Sequence, residues 1–88
     1  HDDATVDVRV RFTADAAYRI RRVIYHPSQE IAAELPDGSL IVRYRFNGRV
    51  EFFSWLLQWQ DRAEIVEPKE MRDELRAIVR RLAALYRN

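Results

Sequence analysis

The sequence predicts an α+β fold, a ferredoxin-like βαββαβ antiparallel sheet with one added C-terminal helix. Three observations lead to this prediction. Residues 5–12 alternate apolar and polar side chains, which is the period of a half-buried strand. Pro36-Asp37-Gly38-Ser39 is a strong turn signal between two further strand-like segments. Residues 69–87 place apolar side chains at helical spacing.

The first half of the chain predicts a strand, a helix and a hairpin. Thr13 follows the first strand and offers an N-cap for a helix that runs to about Val23. His26-Pro27 ends that helix, because proline disfavours the helical conformation of the residue before it. Strands from Gln29 to Leu35 and from Leu40 to about Asn47 then form the hairpin. The apolar face of the first strand consists of Val6, Val8, Val10 and Phe12.

The second half predicts two more helices and a fourth strand. Glu51 to Trp59 is a short apolar helix, and Ala63 to Glu67 is a strand that Pro68 ends. The final helix has a long apolar stripe of Met71, Leu75, Ile78, Val79, Leu82 and Leu85. In a ferredoxin-like order the strands lie 4-1-3-2 with both inner helices on one sheet face. The opposite face is then open to a ligand or a partner.

Length and composition restrict the classes of function. The 88 residues suffice for one domain at 5–88, with residues 1–4 interpreted as a tag remnant or linker. Fifteen basic and fourteen acidic residues leave a net charge of +1, which is too small for a dedicated DNA-binding domain. The absence of cysteine excludes disulfides, thiolate metal sites and thiol nucleophiles. No apolar stretch is long enough to span a membrane, and we expect a cytoplasmic protein.

No residue pattern indicates catalysis. His26 has no metal-binding residue at a suitable spacing, and the serines lie outside any nucleophile motif. The acidic residues are scattered, so no pair is marked as a general acid and base. We therefore expect no enzyme, no metal site and no cofactor.

The predicted open sheet face brings four arginines together: Arg9, Arg11, Arg43 and Arg45. One interpretation is a lattice of cross-strand ion pairs with Glu30, Glu34 and Glu64. The other is a surface for a partner or for an anionic or nucleic-acid effector, because arginine is enriched at interfaces and RNA-binding sheets use this face. Against RNA, the face lacks the aromatic pair that would stack bases.

The apolar stripe of the final helix also has two interpretations. It either packs inside the domain or forms a seam between two copies of the chain. The candidate seam residues are Leu75, Ile78, Leu82 and Leu85. A further basic cluster on the first helix, Arg19, Arg21 and Arg22, is interpreted as a solvated helix face.

Four short segments in this order resemble a known family. They are Tyr25-His26-Pro27-Ser28-Gln29, Leu35-Pro36-Asp37-Gly38-Ser39, Trp55-Leu56-Leu57 with Trp59, and Ala63-Glu64-Ile65-Val66-Glu67-Pro68. The set resembles the C-terminal extension, often called WCX, of bacterial WYL-domain transcriptional regulators. The resemblance implies a parent chain with an N-terminal winged helix-turn-helix, a central WYL domain, and this extension last. It also implies a role in dimerisation and in relaying a sensed signal.

The residue patterns predict a non-catalytic domain, and the resemblance implies that it is a regulatory and dimerisation module of a bacterial DNA-binding regulator. The expected partners are a second copy within a homodimeric parent and the WYL domain of the same chain. The alternative is a sensing domain for a small-molecule or nucleic-acid effector, which would bind at Arg9, Arg11, Arg43 and Arg45.

Overall fold

A computed structural model of the chain describes residues 5–87. The predicted tag remnant or linker at residues 1–4 lies outside this described part. The prediction of an α+β domain with an antiparallel sheet and three α-helices is confirmed. The elements in order are β1 (Thr5–Phe12), α1 (Ala14–Arg22), β2 (Glu30–Glu34), β3 (Leu40–Asn47), α2 (Arg49–Leu57), a 3₁₀ turn (Gln60–Arg62), β4 (Ala63–Glu67) and α3 (Lys69–Leu85).

The four strands form one sheet in the order β2-β3-β1-β4, which is β4-β1-β3-β2 from the opposite edge. The central pair, β1 and β3, is antiparallel without interruption from Thr5 opposite Asn47 to Phe12 opposite Leu40. The hairpin between β2 and β3 turns at Gly38, whose φ of 90° is strained for any residue with a Cβ. The turn predicted at Pro36-Asp37-Gly38-Ser39 is therefore present, with Gly38 in the positive-φ conformation that such a turn requires.

All the helices pack towards one face of the sheet, where the core lies. The alternation of β1 places Val6, Val8, Val10 and Phe12 in this core, and Tyr44 of β3 joins them. Helix α1 approaches closely because it presents the small side chains of Ala16 and Ala17 beside Ile20. Helix α2 contributes aromatic rings, and Trp55 has its ring centroid 5.2 Å from that of Tyr44.

Strand β2 corrects one expectation about the open face. Its register with β3 shifts between Ile31 and Ala33, so Ala32 is an additional residue in the strand. The shift reverses the side-chain alternation, and Glu34 forms an ion pair with Arg21 of α1 at 3.0 Å instead of joining the central arginines. An alternation extrapolated through a bulge assigns the wrong face.

The segment between α1 and β2 is held by the side chain of Gln29. Its Nε2 donates to the carbonyls of Ile20 at 3.1 Å and Val23 at 3.0 Å, which satisfies the end of α1. Its Oε1 accepts from the amide of Tyr25 at 3.1 Å and from the hydroxyl of Tyr44 at 2.8 Å. The amide therefore connects a helix end, a loop and a central strand.

At the other end of α1, Thr13 takes the predicted N-cap position but makes no side-chain capping bond. Its hydroxyl donates to the carboxylate of Asp15 at 2.5 Å. The helix also ends at Arg22, one residue before the predicted end.

Helix α3 packs on the domain through its first half. Met71 is only 2% exposed and joins the core, where Leu75 and Ile78 are partly buried against it. Arg72 connects the helix to β4, with its Nη1 2.7 Å from the carboxylate of Glu64 and 2.8 Å from the carbonyl of Ile65. Glu64 lies opposite Arg11 in the register of β1 and β4, as the ion-pair interpretation expected, but the ion pair that it forms among the described residues is with Arg72.

Replacement of Met71 tests this packing. We expect Met71→Ala to lower the free energy of unfolding by about 2–5 kcal/mol, because it leaves a cavity in the core. The matched change Leu85→Ala removes an exposed side chain and should cost no more than about 0.5 kcal/mol in the monomer. Urea denaturation followed by circular dichroism at low protein concentration measures both. Equal losses would show that the first half of α3 is not anchored by Met71.

Candidate interaction surfaces

The open sheet face consists of the outward side chains of the four strands. At its centre Arg9 lies opposite Arg43, and Asp7 lies opposite Arg45. Arg43 reaches diagonally to Asp7 and binds it with two bonds, from Nε at 2.9 Å and from Nη2 at 2.6 Å. This bidentate bond fixes both side chains and occupies the fork of Arg43.

The remaining arginines of this face differ in their partners. Arg11 donates to Asp37 at 2.7 Å and to the hydroxyl of Ser39 at 3.2 Å, at the hairpin end of the sheet. Arg9 has a looser contact with Glu67 of β4, at 3.8 Å. Within residues 5–87, Arg45 is exposed and forms no ion pair. The structure thus brings the four arginines together on one face, three of them beside carboxylates.

Bonds to these arginines and to neighbouring hydroxyls stabilise the charged forms of two carboxylates. The bond from Arg43 lowers the pKa of Asp7 below its ordinary value, despite an opposing contribution from desolvation. The pKa of Asp37 is lowered first by the hydroxyl and amide of Ser39 and further by the charge of Arg11. The open face therefore carries charges of both signs, with paired carboxylates beside Arg43 and Arg11 and no ion pair at Arg45 among the described residues.

The second surface is the C-terminal half of α3. The predicted seam residues divide at its middle, because Leu75 and Ile78 pack against the core of their own chain. Leu82 is 42% exposed and Leu85 is 75% exposed. The internal alternative of the sequence analysis therefore holds for the first half of the helix. The second half presents an apolar strip to solvent, and the seam stays a prediction there.

A third site was not identified from the sequence. Arg19, which was interpreted as part of a solvated helix face, borders a cavity of about 160 Å³ near the end of α1. The other lining residues are Tyr25, Trp55, Gln58, Trp59 and Arg62. Arg19 and Tyr25 come from α1 and the loop after it, and the other four from residues 55–62. The spacing of residues 55, 58, 59 and 62 is helical, but no local pattern relates this segment to Arg19.

The described part of the chain gives no support for two other kinds of site. Among residues 5–87, no three His, Asp or Glu side chains are grouped so that they could hold a metal ion. In the same range, no helix combines the length and the apolar composition that crossing a bilayer requires.

Comparison with protein families relates this architecture to a known domain. A family model described as the WCX domain matches residues 4–83. The chain belongs to the WCX domain family. Comparison with curated proteins gives no match for this chain. The resemblance stated from the sequence is thus confirmed at the level of the WCX domain.

The first of the segments behind that resemblance has a structural role in this WCX domain. In Tyr25-His26-Pro27-Ser28-Gln29, the His26 ring stacks on Phe46 with centroids 4.1 Å apart. Its Nδ1 lies 2.7 Å from the hydroxyl oxygen of Ser28, and that oxygen accepts a bond at 2.8 Å from the amide of Arg45. The segment secures the loop to β3, which gives His26 and Ser28 a structural role.

The carboxylate of Asp7 gives a pH prediction for this WCX domain. Its folded-state pKa is depressed, so its bond to Arg43 stabilises the fold above the unfolded-state pKa, and this contribution is lost as the pH falls below about 4. We expect Asp7→Asn to lower the urea midpoint at pH 7, and the difference from the unmodified chain to shrink towards about pH 2.

Asp61→Asn is the control for this experiment. Asp61 is exposed and forms no ion pair within the described residues, so its replacement should change the midpoint at pH 7 less than Asp7→Asn does. A difference between Asp7→Asn and the unmodified chain that is the same at both pH values would contradict the assigned ion pair.

Proposed function

We propose that this WCX domain is a non-catalytic regulatory module of a bacterial DNA-binding transcriptional regulator, and that it self-associates through the C-terminal half of α3. The observation behind the self-association is the half-packed helix, whose apolar stripe continues beyond the core into solvent at Leu82 and Leu85. We also assign the domain to the ferredoxin-like folds, because the strand order β4-β1-β3-β2 and the helices on one face fit that arrangement.

A second copy of the chain is a suitable cover for this strip. The stripe is continuous with the core contacts of Met71 and Leu75, so a partner helix would extend an existing apolar layer. Full burial of one exposed leucine contributes roughly 1.5–3 kcal/mol, and symmetric pairing buries the same residues once on each copy. Two leucines on each copy are enough for a dimer that forms at raised local concentration, as within a larger dimeric regulator.

The open sheet face fits a different partner in this proposal, the WYL domain of the same chain. Paired charges such as Arg43 with Asp7 can enter a polar interface without leaving either member uncompensated. Arg45 adds one exposed guanidinium that can bind a carboxylate of that partner. One domain would then contact a second copy through α3 and the WYL domain through the open sheet face. A rearrangement at either contact would change the free energy of the other.

The alternative, an anionic or nucleic-acid effector bound by Arg9, Arg11, Arg43 and Arg45, has less support. Such an effector has to compete with Asp7 for Arg43 and with Asp37 for Arg11. The expected outcome is that a single-stranded oligonucleotide does not bind the isolated domain in a fluorescence anisotropy titration at moderate salt. Salt-sensitive binding that the double change Arg43→Ala, Arg45→Ala abolishes would favour the alternative.

Sedimentation of the 88-residue chain across a wide concentration range tests the seam. We expect reversible dimers that persist in high salt, because the contact is apolar. Leu85→Glu should weaken the dimer at least about tenfold, since it removes apolar burial and brings charge into the seam.

Ala84→Glu is the matched control. Ala84 is also exposed near the end of α3, but at about 100° per residue it lies away from the stripe, so its replacement introduces the same charge without touching the seam. Dimers that are equally weakened by both changes, or a chain that stays monomeric at every concentration, would refute self-association through α3.

A further inference from the structure

The cavity of about 160 Å³ near the end of α1 combines guanidinium groups with aromatic side chains in its lining. Two guanidiniums, of Arg19 and Arg62, border it beside the amide of Gln58, and no carboxylate is among its lining residues. The cavity beside it, which also includes Arg62, is lined in addition by Asp37, Asp61 and Glu64. The first cavity is therefore a place where positive charge is not locally compensated.

Contacts within the described residues leave both guanidiniums available. Arg19 and Arg62 form no ion pair there. Arg62 is held in place by a bond of 3.4 Å from its Nε to the carbonyl of Trp59. Asp15 lies close enough for the charge of Arg62 to contribute to lowering the pKa of its carboxyl, but it does not border the cavity. An anion could thus bind both forks without displacing an internal partner.

The wall of the cavity contains an unused donor. Trp59 is 8% exposed, and its indole Nε1 has no acceptor among residues 5–87. No buried side-chain nitrogen or oxygen in that range lacks a partner, so this nitrogen is accessible to water.

The aromatic walls are fixed by their own packing. The rings of Tyr25 and Trp59 meet edge to face with centroids 5.2 Å apart, and those of Trp55 and Trp59 meet at 6.1 Å. The backbone amide of Tyr25 is bonded to Gln29, which also holds the end of α1. A cavity built in this way loses little conformational entropy when a ligand binds.

We propose that this cavity binds a small organic anion built on a flat ring, with a carboxylate or a phosphate as its charged group. The anionic group would accept hydrogen bonds from the guanidinium groups of Arg19 and Arg62. The ring would lie against the side chains of Tyr25, Trp55 and Trp59. The volume admits one ring and its substituent, so the ligand is a small molecule rather than a polymer.

This site goes beyond the proposed assembly role and uses none of its residues. It gives the WCX domain a way to respond to a metabolite of that class, because the cavity lies between the end of α1 and the region that joins α2 to β4. Binding would stabilise the folded arrangement of these elements by mass action.

Intrinsic fluorescence tests the proposal directly, since the chain contains two tryptophans and both line the cavity. The probes are benzoate and phenyl phosphate, which share one ring and differ in the anion. Benzamide is the neutral analogue, and inorganic phosphate is the anion without a ring. We expect saturable changes with benzoate, phenyl phosphate or both, and affinities at least about tenfold weaker for benzamide and inorganic phosphate. The stronger of the two ring anions identifies the charged group.

Variants locate the site. Arg19→Gln and Arg62→Gln should each weaken binding about tenfold, because each removes a charged donor. Arg22→Gln is the matched control, because it lies on α1 but outside the cavity, over the ring of Tyr18. Circular dichroism confirms that each variant is folded, and sedimentation keeps the result separate from the α3 seam.

Three results would overturn the proposal: no saturable change with either ring anion, benzamide binding as tightly as benzoate and phenyl phosphate, or equal losses in Arg19→Gln and Arg22→Gln. None of them depends on whether the domain self-associates.

Discussion

The side-chain amide of Gln29 is the interaction on which the arrangement of this domain depends. One amide satisfies the carbonyls of Ile20 and Val23, where α1 ends, and also binds the hydroxyl of Tyr44 in the centre of the sheet. Without it, carbonyls at the helix end would lose their partners, and the connection to the sheet would lose its register. The position of Tyr25, and with it one wall of the cavity, follows from the same group.

The core lies on one side of the sheet, and this explains why the open sheet face and the end of α3 are exposed. The helices pack towards one sheet face, so the outward residues of β1 and β3 remain in contact with water. Water solvates the charged side chains of this face, and some of them also pair, as Arg43 does with Asp7. Helix α3 is the last element of the chain. The other elements already cover most of the core, so only the first half of α3, beginning with Met71, is buried. The exposed stripe near Leu85 is thus a consequence of topology as much as of composition.

Local sequence patterns predicted the strands and helices but not the cavity near the end of α1. The reason is that the cavity depends on contacts between segments that are distant in the chain. The period of β1 and the turn at Gly38 are set by neighbours in the chain, so the strands and the hairpin could be read from the sequence. The bulge at Ala32 could not, because it depends on pairing with β3, and it reversed the expected direction of Glu34. The cavity depends on tertiary contact between distant segments, so no local pattern distinguished Arg19 from its solvated neighbours.

The arginines of this domain show that net charge is a poor guide to anion binding, because the local partners decide the outcome. A guanidinium such as Arg43, which already binds Asp7 through two of its three nitrogens, gains less from a second anion than an unpaired one does. Arg19 and Arg62 border a partly enclosed site whose lining includes no carboxylate, and there each new charged bond replaces only water. A chain with a net charge of +1 can therefore have an electrically balanced sheet face and, on its helical side, a site that prefers anions. The distinction comes from where the fold places each carboxylate, which composition alone does not reveal.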